Sequence, residues 1–215
     1  MKKTIEYWNN FYKKKKTPIK QSAFSEFVLK KIKNKKMNLF DIGCGNGRDT
    51  NFFNKKKINC FGVDSSKEVI TINKKKYSKF SSMFIKSDFS IFFKKIFADD
   101  FSVYSRFTWH TINYLEEKRL INFLKNQKNL KYMFIETRTI KDELYNKGKK
   151  IGKHEFVTSH YRRFIDPTIL KKKLHKHFNI IYYCRKFVIA IKYEKRSWCQ
   201  YRELTIVNRT CCYEI

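Results

Sequence analysis

A glycine-rich segment between a predicted strand and a predicted helix constrains the fold of this chain more than any other feature. Residues 41–47 have the sequence Asp-Ile-Gly-Cys-Gly-Asn-Gly; apolar residues 37–40 precede them and a helical pattern follows at 51–57. Glycine allows the unusual dihedral angles of a tight strand-to-helix turn and the close approach of a ligand to bare backbone. Free N–H groups at the start of the helix favour an anion there.

A second feature of nucleoside-binding sites follows the glycine-rich segment at the expected distance along the chain. Residues 58–63 form the next predicted strand, and Asp64 ends it, 21 residues after Gly43. Dinucleotide folds place a carboxylate at this position for the ribose hydroxyls. An NAD site would prefer the spacing Gly-x-Gly-x-x-Gly, whereas this chain places an acid, Asp41, before three alternating glycines. A Rossmann-like domain for some other nucleotide remains the alternative interpretation.

The combined pattern of residues 41–47, 62–66 and 87–89 resembles the class I S-adenosylmethionine-dependent methyltransferases. The resemblance implies a seven-stranded Rossmann-like α/β sheet, mostly parallel with an antiparallel last strand, and helices on both faces. It implies that the glycine loop contacts the methionine half of S-adenosylmethionine, that Asp64 holds the ribose and that Asp88 lies at the adenine. The cofactor-binding candidates are Trp8, Tyr12, Asp41, Gly43, Cys44, Gly45, Gly47, Arg48, Asp64, Ser65, Ser66, Asp88, Phe89 and Ser105.

The remaining pattern predicts alternating strands and helices within one domain, residues 1–215. We divide it into an N-terminal helical cap (1–36), a Rossmann-like core (37–193) and an uncertain tail (194–215). Predicted elements include a helix over 67–77 capped by Ser65 or Ser66, strands at 100–104 and 130–136, and a helix at 115–126. Asp166 and Pro167 begin another helix, and residues 178–183 and 187–191 form a closing hairpin.

The composition indicates the cellular compartment of the protein and whether it binds a metal. No apolar run approaches the roughly 20 residues of a membrane span, and the N-terminus has no apolar signal region, so we expect a cytoplasmic protein. The six cysteines lack zinc-like spacing and are expected to be free thiols, and no metal is implied.

The net charge of +30 raises a nucleic-acid hypothesis. However, 39 of the 49 basic residues are lysines, which a genome rich in A and T would favour, and most lysine runs are expected to be solvated faces. Seven of the ten arginines lie at or after Arg138. Because arginine recognises phosphate or carboxylate through paired donors, this distribution favours a small anionic substrate, with nucleic acid as the less favoured partner.

Substrate residues should follow the carboxyl ends of the strands, where ligands of open α/β sheets bind. The substrate-binding candidates are Tyr104, Arg106, Arg138, Tyr161, Arg162 and Arg163. His110 and His160 are candidates for a general base, since imidazole titrates near neutral pH. Either histidine could instead be structural, His110 in the core and His160 bonded to loop backbone. Glu136 and Asp142 could orient a histidine or form an ion pair with Arg138.

The blocks around Tyr104–His110, Glu136–Arg138 and His160–Phe164 resemble a methyltransferase subgroup of bacterial capsule and surface-polysaccharide biosynthesis. The resemblance implies O-methylation of a phosphorylated, phosphoramidate or nucleotide-linked precursor. An RNA methyltransferase acting on ribose or phosphate is the alternative; the Asn/Asp-Pro-Pro-aromatic motif of base-amine enzymes is missing at residues 105–108. A degenerate binding domain without activity is a third hypothesis. The oligomeric state stays open.

Overall fold

The computed structural model describes residues 2–14, 17–88, 99–184 and 188–192. The chain divides into two compact units, Met1–Arg106 and Phe107–Ile215. The predicted tail at 194–215 and the candidate Phe89 lie outside the described residues. No helix in the described part of the chain is long and apolar enough to cross a membrane.

The first unit is a parallel sheet with helices. Its helices are α1 (Lys2–Lys14), α2 (Ala23–Lys31), α3 (Arg48–Lys55) and α4 (Lys67–Lys76). Its strands are β1 (Asn38–Ile42), β2 (Cys60–Asp64), β3 (Phe84–Lys86) and β4 (Phe101–Arg106). The strand order is β3-β2-β1-β4, and every neighbouring pair is parallel. The carboxyl ends of all four strands therefore lie at one edge.

The burial of these strands explains why helices accompany them. Four of the five residues of β1 and five of the six residues of β4 are buried. Parallel strands with such continuous burial need covering elements on both faces. Phe53 of α3 and Phe24 of α2 each contact the ring of Tyr104 in β4, at centroid distances of 5.2 and 5.0 Å. Each buried aromatic ring contributes about 2–3 kcal/mol of apolar transfer free energy.

Local sequence sets the helix starts. The Ser22 hydroxyl accepts the Ser25 N–H before α2, and the Ser66 hydroxyl accepts the Val69 N–H at 3.1 Å before α4. The predicted cap at Ser65 or Ser66 is thus at Ser66. The helix predicted over 51–57 begins earlier, at Arg48, because Gly47 adopts a left-handed conformation and turns the chain directly into α3.

The second unit contains two antiparallel sheets and two helices. Its helices are α5 (Tyr114–Leu124) and α6 (Pro167–His175). Its strands are β5 (Leu130–Glu136), β6 (Lys149–Gly152), β7 (Glu155–Val157), β8 (Tyr161–Arg163), β9 (Asn179–Cys184) and β10 (Val188–Lys192). Strand β10 pairs antiparallel with both β5 and β9, and β7 pairs antiparallel with both β6 and β8.

Most predicted elements of this unit are present. The Asp166 carboxylate caps α6 by accepting the N–H groups of Thr168 and Ile169, and Pro167 occupies the first turn. The sheet of β6, β7 and β8 was not predicted. Its strands are only three or four residues long, and their sequences carry many charged residues. Pairing of such short strands depends on contacts that local patterns do not reveal.

Candidate functional site

The glycine loop after β1 needs glycine at three alternating positions. Gly43, Gly45 and Gly47 have φ angles of 72°, 52° and 69°, the left-handed region that L side chains rarely adopt. The N–H groups of Gly43 and Cys44 donate to the Val63 carbonyl at 2.8 and 3.1 Å. These bonds attach the start of the loop to the end of β2.

Asp64, the predicted ribose-binding residue, ends β2 and contacts the glycine loop. Its Oδ2 accepts the Gly45 N–H at 3.0 Å, and its Oδ1 accepts the Ser66 N–H at 2.9 Å. Burial raises the pKa of this carboxyl, while hydrogen bonds from the backbone of Ser66, Gly45 and Ser65 oppose that rise. The backbone thus orients a carboxylate beside the glycine loop.

Helix α1 supplies side chains to the same loop. The Tyr12 hydroxyl lies so close to Gly45 that a Cβ at position 45 would overlap it. Burial, and secondly the charge of Asp64, raises the pKa of Tyr12 far above its ordinary value. The Ser66 hydroxyl donates to Asn9 Oδ1 at 2.5 Å. The Trp8 ring lies 6.0 Å from that of Tyr12, so both predicted aromatic candidates belong to one cluster.

Asn73 of α4 is a loop contact that sequence reasoning missed. Its Nδ2 donates to the Gly45 carbonyl at 2.7 Å, and the whole residue is buried. Its Oδ1 has no hydrogen-bond partner among the described residues. The helical spacing of Val69, Ile70 and Asn73, which puts an amide on the buried face, is the signal that could have identified it.

Asp41 stabilises the turn from inside the unit. Its Oδ2 accepts the Thr50 hydroxyl of α3 at 2.7 Å, and the residue is 2% exposed. Burial, and secondly the charge of Asp49, raises the pKa of Asp41 to about 8. Burial also raises the pKa of the Cys44 thiol well above its usual value, which makes it a poor nucleophile. In this structure both residues have scaffold contacts beside the glycine loop.

The segment over residues 17–22 is attached to the other side of the loop. Asn46 Nδ2 donates to the Thr17 hydroxyl and the Pro18 carbonyl, at 2.9 and 2.7 Å. The predicted candidate Arg48 donates from Nη1 to the Lys20 carbonyl at 3.1 Å. These contacts fix the segment that precedes α2 against the loop.

The carboxyl ends of β3 and β4 complete this edge of the first unit. The Ser87 N–H donates to the Asp64 carbonyl at 3.0 Å, so the segment carrying Asp88 begins beside the end of β2. Ser105 is fully buried, and its hydroxyl has no hydrogen-bond partner among the described residues. Tyr104 is also fully buried, and its hydroxyl donates to Asp49 Oδ2 at 2.8 Å. Tyr104 therefore has the contacts of a core residue, contrary to its expected role in substrate binding.

The second unit holds a second group of predicted site residues, which lies around Phe107. The φ of Phe107, 56°, is unusual for a bulky residue, and its N–H donates to the Glu136 carbonyl at 2.8 Å. The Arg138 guanidinium carbon lies 5.4 Å from the centre of the Phe107 ring, and the His110 ring lies 5.9 Å from it. Strained residues of this kind cluster at functional sites.

The two candidate histidines are neutral imidazoles near arginines. Burial, and next the charge of Arg138, lowers the pKa of His110 well below its usual value. His110 is 4% exposed, and its Nδ1 has no hydrogen-bond partner among the described residues. Burial, and next the charge of Arg162, lowers the pKa of His160 to about 4. The Ser159 hydroxyl lies 3.1 Å from His160 Nδ1.

The other candidates of this unit differ in what they contact. Arg138 forms an ion pair with Asp142 at 2.8 Å, one of the two roles expected for that aspartate. Arg162 donates from Nη1 to the Thr158 hydroxyl, and the Tyr161 hydroxyl donates to Glu155 Oε1 at 2.8 Å. Both Arg162 and Tyr161 remain partly exposed.

Arg163 has a scaffold role that the sequence did not predict. It forms a buried ion pair with Glu117 at 2.6 Å, and its Nε donates to the Ile112 carbonyl at 2.8 Å. Lys173 of α6 contacts the other Glu117 oxygen at 2.7 Å. Because these contacts occupy its guanidinium, Arg163 is poorly placed to bind substrate.

The second unit thus brings His110, His160, Arg138 and Arg162 together. Arg163 also acts on His110 through its charge, but Glu117 holds its guanidinium. Among the residues that the structure describes, no group of three or more His, Cys, Asp or Glu side chains is placed to hold a metal ion.

Residues 40–122 match a family model described as a methyltransferase domain. A comparison with curated protein sequences found no significant match. The matched range includes the glycine loop, Asp64 and His110.

Solved structures with a similar fold are methyltransferases at low sequence identity. An S-adenosylmethionine-dependent methyltransferase from Anabaena variabilis is 19% identical, with a TM-score of 0.64 over 88% of this chain and 93% of the other. The glycopeptide N-methyltransferase MtfA, complexed with S-adenosylhomocysteine, is 12% identical, with a TM-score of 0.60 over 81% and 90%. Phosphoethanolamine N-methyltransferase 1 from Haemonchus contortus, complexed with phosphoethanolamine and S-adenosylhomocysteine, is 13% identical, with a TM-score of 0.65 over 94% and 50%. These likenesses show a Rossmann-like α/β methyltransferase fold.

Proposed function

We propose that the chain is an S-adenosylmethionine-dependent methyltransferase that methylates an oxygen atom of a small anionic acceptor. The acceptor class is a phosphorylated, phosphoramidate or nucleotide-linked precursor of capsule or surface polysaccharide. We also propose that residues 1–215 form a single cytoplasmic domain with a seven-stranded sheet whose last strand is antiparallel.

The residues of the glycine loop fit the cofactor. Left-handed glycines leave the backbone bare, Asp64 presents a half-buried carboxylate, and the aromatic side chains of α1 cover the loop. Asp64 would hold the ribose hydroxyls, while Gly43 and Gly45 would contact the methionine half. When bound, S-adenosylmethionine supplies an electrophilic methyl group on its sulfonium. Asp41, Cys44 and Arg48 support the loop in this proposal.

One observation supports the acceptor class: two neutral histidines lie in the field of Arg138 and Arg162. Both arginines carry charge, and Arg162 is partly exposed, so an anionic group could pair with it through two parallel hydrogen bonds. Arg106, at the end of β4, is half-buried and stays a candidate for the same role. Tyr104 and Arg163 do not bind the acceptor in this proposal, because Asp49 holds the Tyr104 hydroxyl and Glu117 holds the Arg163 guanidinium.

A neutral imidazole is the form that a general base requires. His110 and His160 remain unprotonated at neutral pH, since burial and the nearby arginines lower the pKa of each. His110 Nδ1, buried and without a hydrogen-bond partner among the described residues, is the better placed acceptor for a hydroxyl proton. Removal of that proton would make the acceptor oxygen nucleophilic, and proximity and alignment would supply the rest of the rate enhancement.

Two independent resemblances favour an anionic small molecule. The phosphoethanolamine N-methyltransferase of similar fold is complexed with a phosphorylated acceptor. The sequence blocks around residues 104–110, 136–138 and 160–164 are similar to those of the capsule-related subgroup. The first supports a phosphate, and the second supports an oxygen atom on a surface-polysaccharide precursor.

The decisive test is an acceptor screen that measures S-adenosylhomocysteine formation. Nucleotide-linked phosphoramidates, nucleotide sugars and sugar phosphates are compared with bulk RNA and with uncharged sugars. We expect turnover with an anionic small molecule and loss of that turnover in His110→Gln. Turnover with RNA alone, or equal turnover with uncharged sugars, would contradict the proposal.

A further inference from the structure

The amino ends of β1, β2 and β3 share one edge of the first unit, opposite to the glycine loop. The strands are parallel, so the loop at the carboxyl end of β1 and the segments leading into the strands lie at opposite ends. We call this second region the entry edge and define it by the described segments 30–37, 55–59 and 74–83. The side chains of Asn38 and Asn59 are hydrogen-bonded to each other there at 2.5 Å.

The entry edge carries a dense set of exposed lysines. They are Lys30, Lys31, Lys33, Lys35, Lys36, Lys55, Lys56, Lys57, Lys74, Lys75, Lys76 and Lys79. All twelve are exposed, and the three segments that carry them contain no acidic residue. The described acids nearest in the topology are Asp99 and Asp100, which lead into β4.

These lysines are not balanced by carboxylates. None of the twelve forms an ion pair within the part of the chain that the structure describes; the described ion pairs of lysine involve Lys13 and Lys173. A concentration of like charge repels itself and destabilises the compact state. Favourable helix dipoles account for lysines in the last turns of α2, α3 and α4. They do not account for the six that lie outside those helices, Lys33, Lys35, Lys36, Lys56, Lys57 and Lys79.

From this unbalanced charge we infer that the entry edge is a docking surface for the phosphate backbone of a nucleic acid. Lysine ammonium groups act as point charges that contact phosphates without reading sequence. The twelve lysines are spread over the segments that lead into three adjacent strands. This distribution suits an extended polyanion, whereas a single small anion needs donors that converge on one point.

A nucleic acid fits this edge better than an anionic membrane surface. Peripheral membrane binding usually adds buried apolar side chains to the electrostatic attraction. Two large apolar residues are exposed in the described part of the first unit, Ile19 and Ile72. Ile19 lies at the glycine loop, in the segment held by Asn46. Ile72 lies on α4, which leads to the entry edge. The entry edge therefore offers charge with little apolar surface.

Docking at this edge is separate from catalysis. Strand β1 has five residues, which span about 16 Å at roughly 3.3 Å per residue. The nucleotides that contact the entry edge therefore do not themselves lie at the glycine loop. The basic surface would localise the enzyme on a polyanion while its acceptor binds elsewhere, which distinguishes this inference from RNA methylation.

The test compares two variants of equal charge in the full chain. The edge variant replaces Lys55, Lys56, Lys57, Lys74, Lys75 and Lys76 with glutamine. The control variant replaces six exposed lysines of the second unit: Lys118, Lys128, Lys147, Lys149, Lys150 and Lys172. Binding of fluorescent poly(U) RNA is followed by anisotropy across a salt series, without cofactor, and vesicles with and without phosphatidylserine are tested by co-sedimentation.

We expect the edge variant to bind RNA about tenfold more weakly than the unmodified protein. The slope of log binding constant against log salt concentration should fall in magnitude by about four. The control variant should keep the affinity and the slope of the unmodified protein. Equal losses in the two variants, no RNA binding by the unmodified protein, or binding to phosphatidylserine vesicles without RNA binding would each overturn the inference. If the edge variant fails to fold by circular dichroism, replacement of Lys33, Lys35, Lys36 and Lys79 tests the same edge. Because cofactor binding is measured separately, failure here leaves the proposed methyltransferase function untouched.

Discussion

The carboxylate of Asp64 accepts a hydrogen bond from the Gly45 N–H at 3.0 Å, which joins the end of β2 to the loop after β1. The same loop residue has a left-handed backbone and lies against the Tyr12 hydroxyl. One glycine is therefore constrained by its own dihedral angle, by a carboxylate and by an aromatic side chain of α1.

Gly45→Ala should weaken S-adenosylmethionine binding more than it weakens folding. An alanine at position 45 is strained and overlaps Tyr12, so the loop must shift where we propose that the cofactor binds. Gly148→Ala is the matched control, since Gly148 also has a positive φ, 93°, but lies in the second unit. Calorimetry should show at least a tenfold loss of affinity, or roughly 1.4 kcal/mol, only for Gly45→Ala. Similar affinities for the two variants would refute this role of the loop.

Asp41→Asn should change how stability depends on pH. The pKa of Asp41 is about 8 in the folded protein, above its ordinary value of 3.8. Stability that comes from the protonated form is fully present below pH 3.8 and is lost as pH rises towards 8. The asparagine variant cannot ionise, so its Tm should fall less than that of the unmodified protein between pH 5 and pH 8. Glu143→Gln, at an exposed position, is the control; parallel pH curves for the Asp41 variant and the unmodified protein would disprove the assignment.

Arg162→Gln should raise the pKa of His160. Burial lowers that pKa to about 4, and the charge of Arg162 is the next largest cause. Removing the charge should move the titration towards the ordinary value of 6.5. Histidine proton resonances in a pH series measure the shift directly, and the exposed Arg119→Gln variant serves as control. An unmoved titration would show that the guanidinium does not act on this imidazole.

Phe107→Gly should separate activity from stability. Glycine relieves the cost of a bulky residue at φ 56°, about 1–2 kcal/mol, but removes the ring that lies near both Arg138 and His110. We expect lower kcat/KM with little loss of Tm. Lys57→Gly relieves a similar strain, φ 62°, in the first unit and should leave kcat/KM unchanged. Full activity in Phe107→Gly would mean that the ring has no role at the site.

Glu117→Gln should be strongly destabilising. Glu117 is 2% exposed and contacts both Arg163 and Lys173. Removing one partner of a buried ion pair leaves an uncompensated charge, at a cost of about 3–5 kcal/mol. Denaturant unfolding measures the loss, with exposed Glu143→Gln as reference. A change below about 1 kcal/mol would argue that Arg163 is available for substrate after all.

The sequence predicted the conformation of the glycine loop because its determinants are local. Alternating glycines, an acid at the end of the next strand and a serine cap each act within a few residues, and the structure joins them through Gly45, Asp64 and Ser66. The same holds for the Asp166 cap and Pro167 of α6.

The sequence could not predict which candidate side chains are engaged elsewhere. Tyr104 follows the expected strand, yet its hydroxyl is held by Asp49, 55 residues earlier in the chain. Arg163 is bound by Glu117, 46 residues away. Such pairings are set by tertiary packing, and no local periodicity reports them. The backbone strain at Phe107 is hidden for the same reason, because it depends on the Glu136 carbonyl of β5.

Isothermal titration of S-adenosylmethionine into the unmodified protein and into Asp64→Ala tests the central claim most directly. We predict one binding site in the unmodified protein, at least a tenfold weaker affinity in the variant and a Tm that changes little. Absence of binding by the unmodified protein, or an unchanged Kd in the variant, would contradict the account.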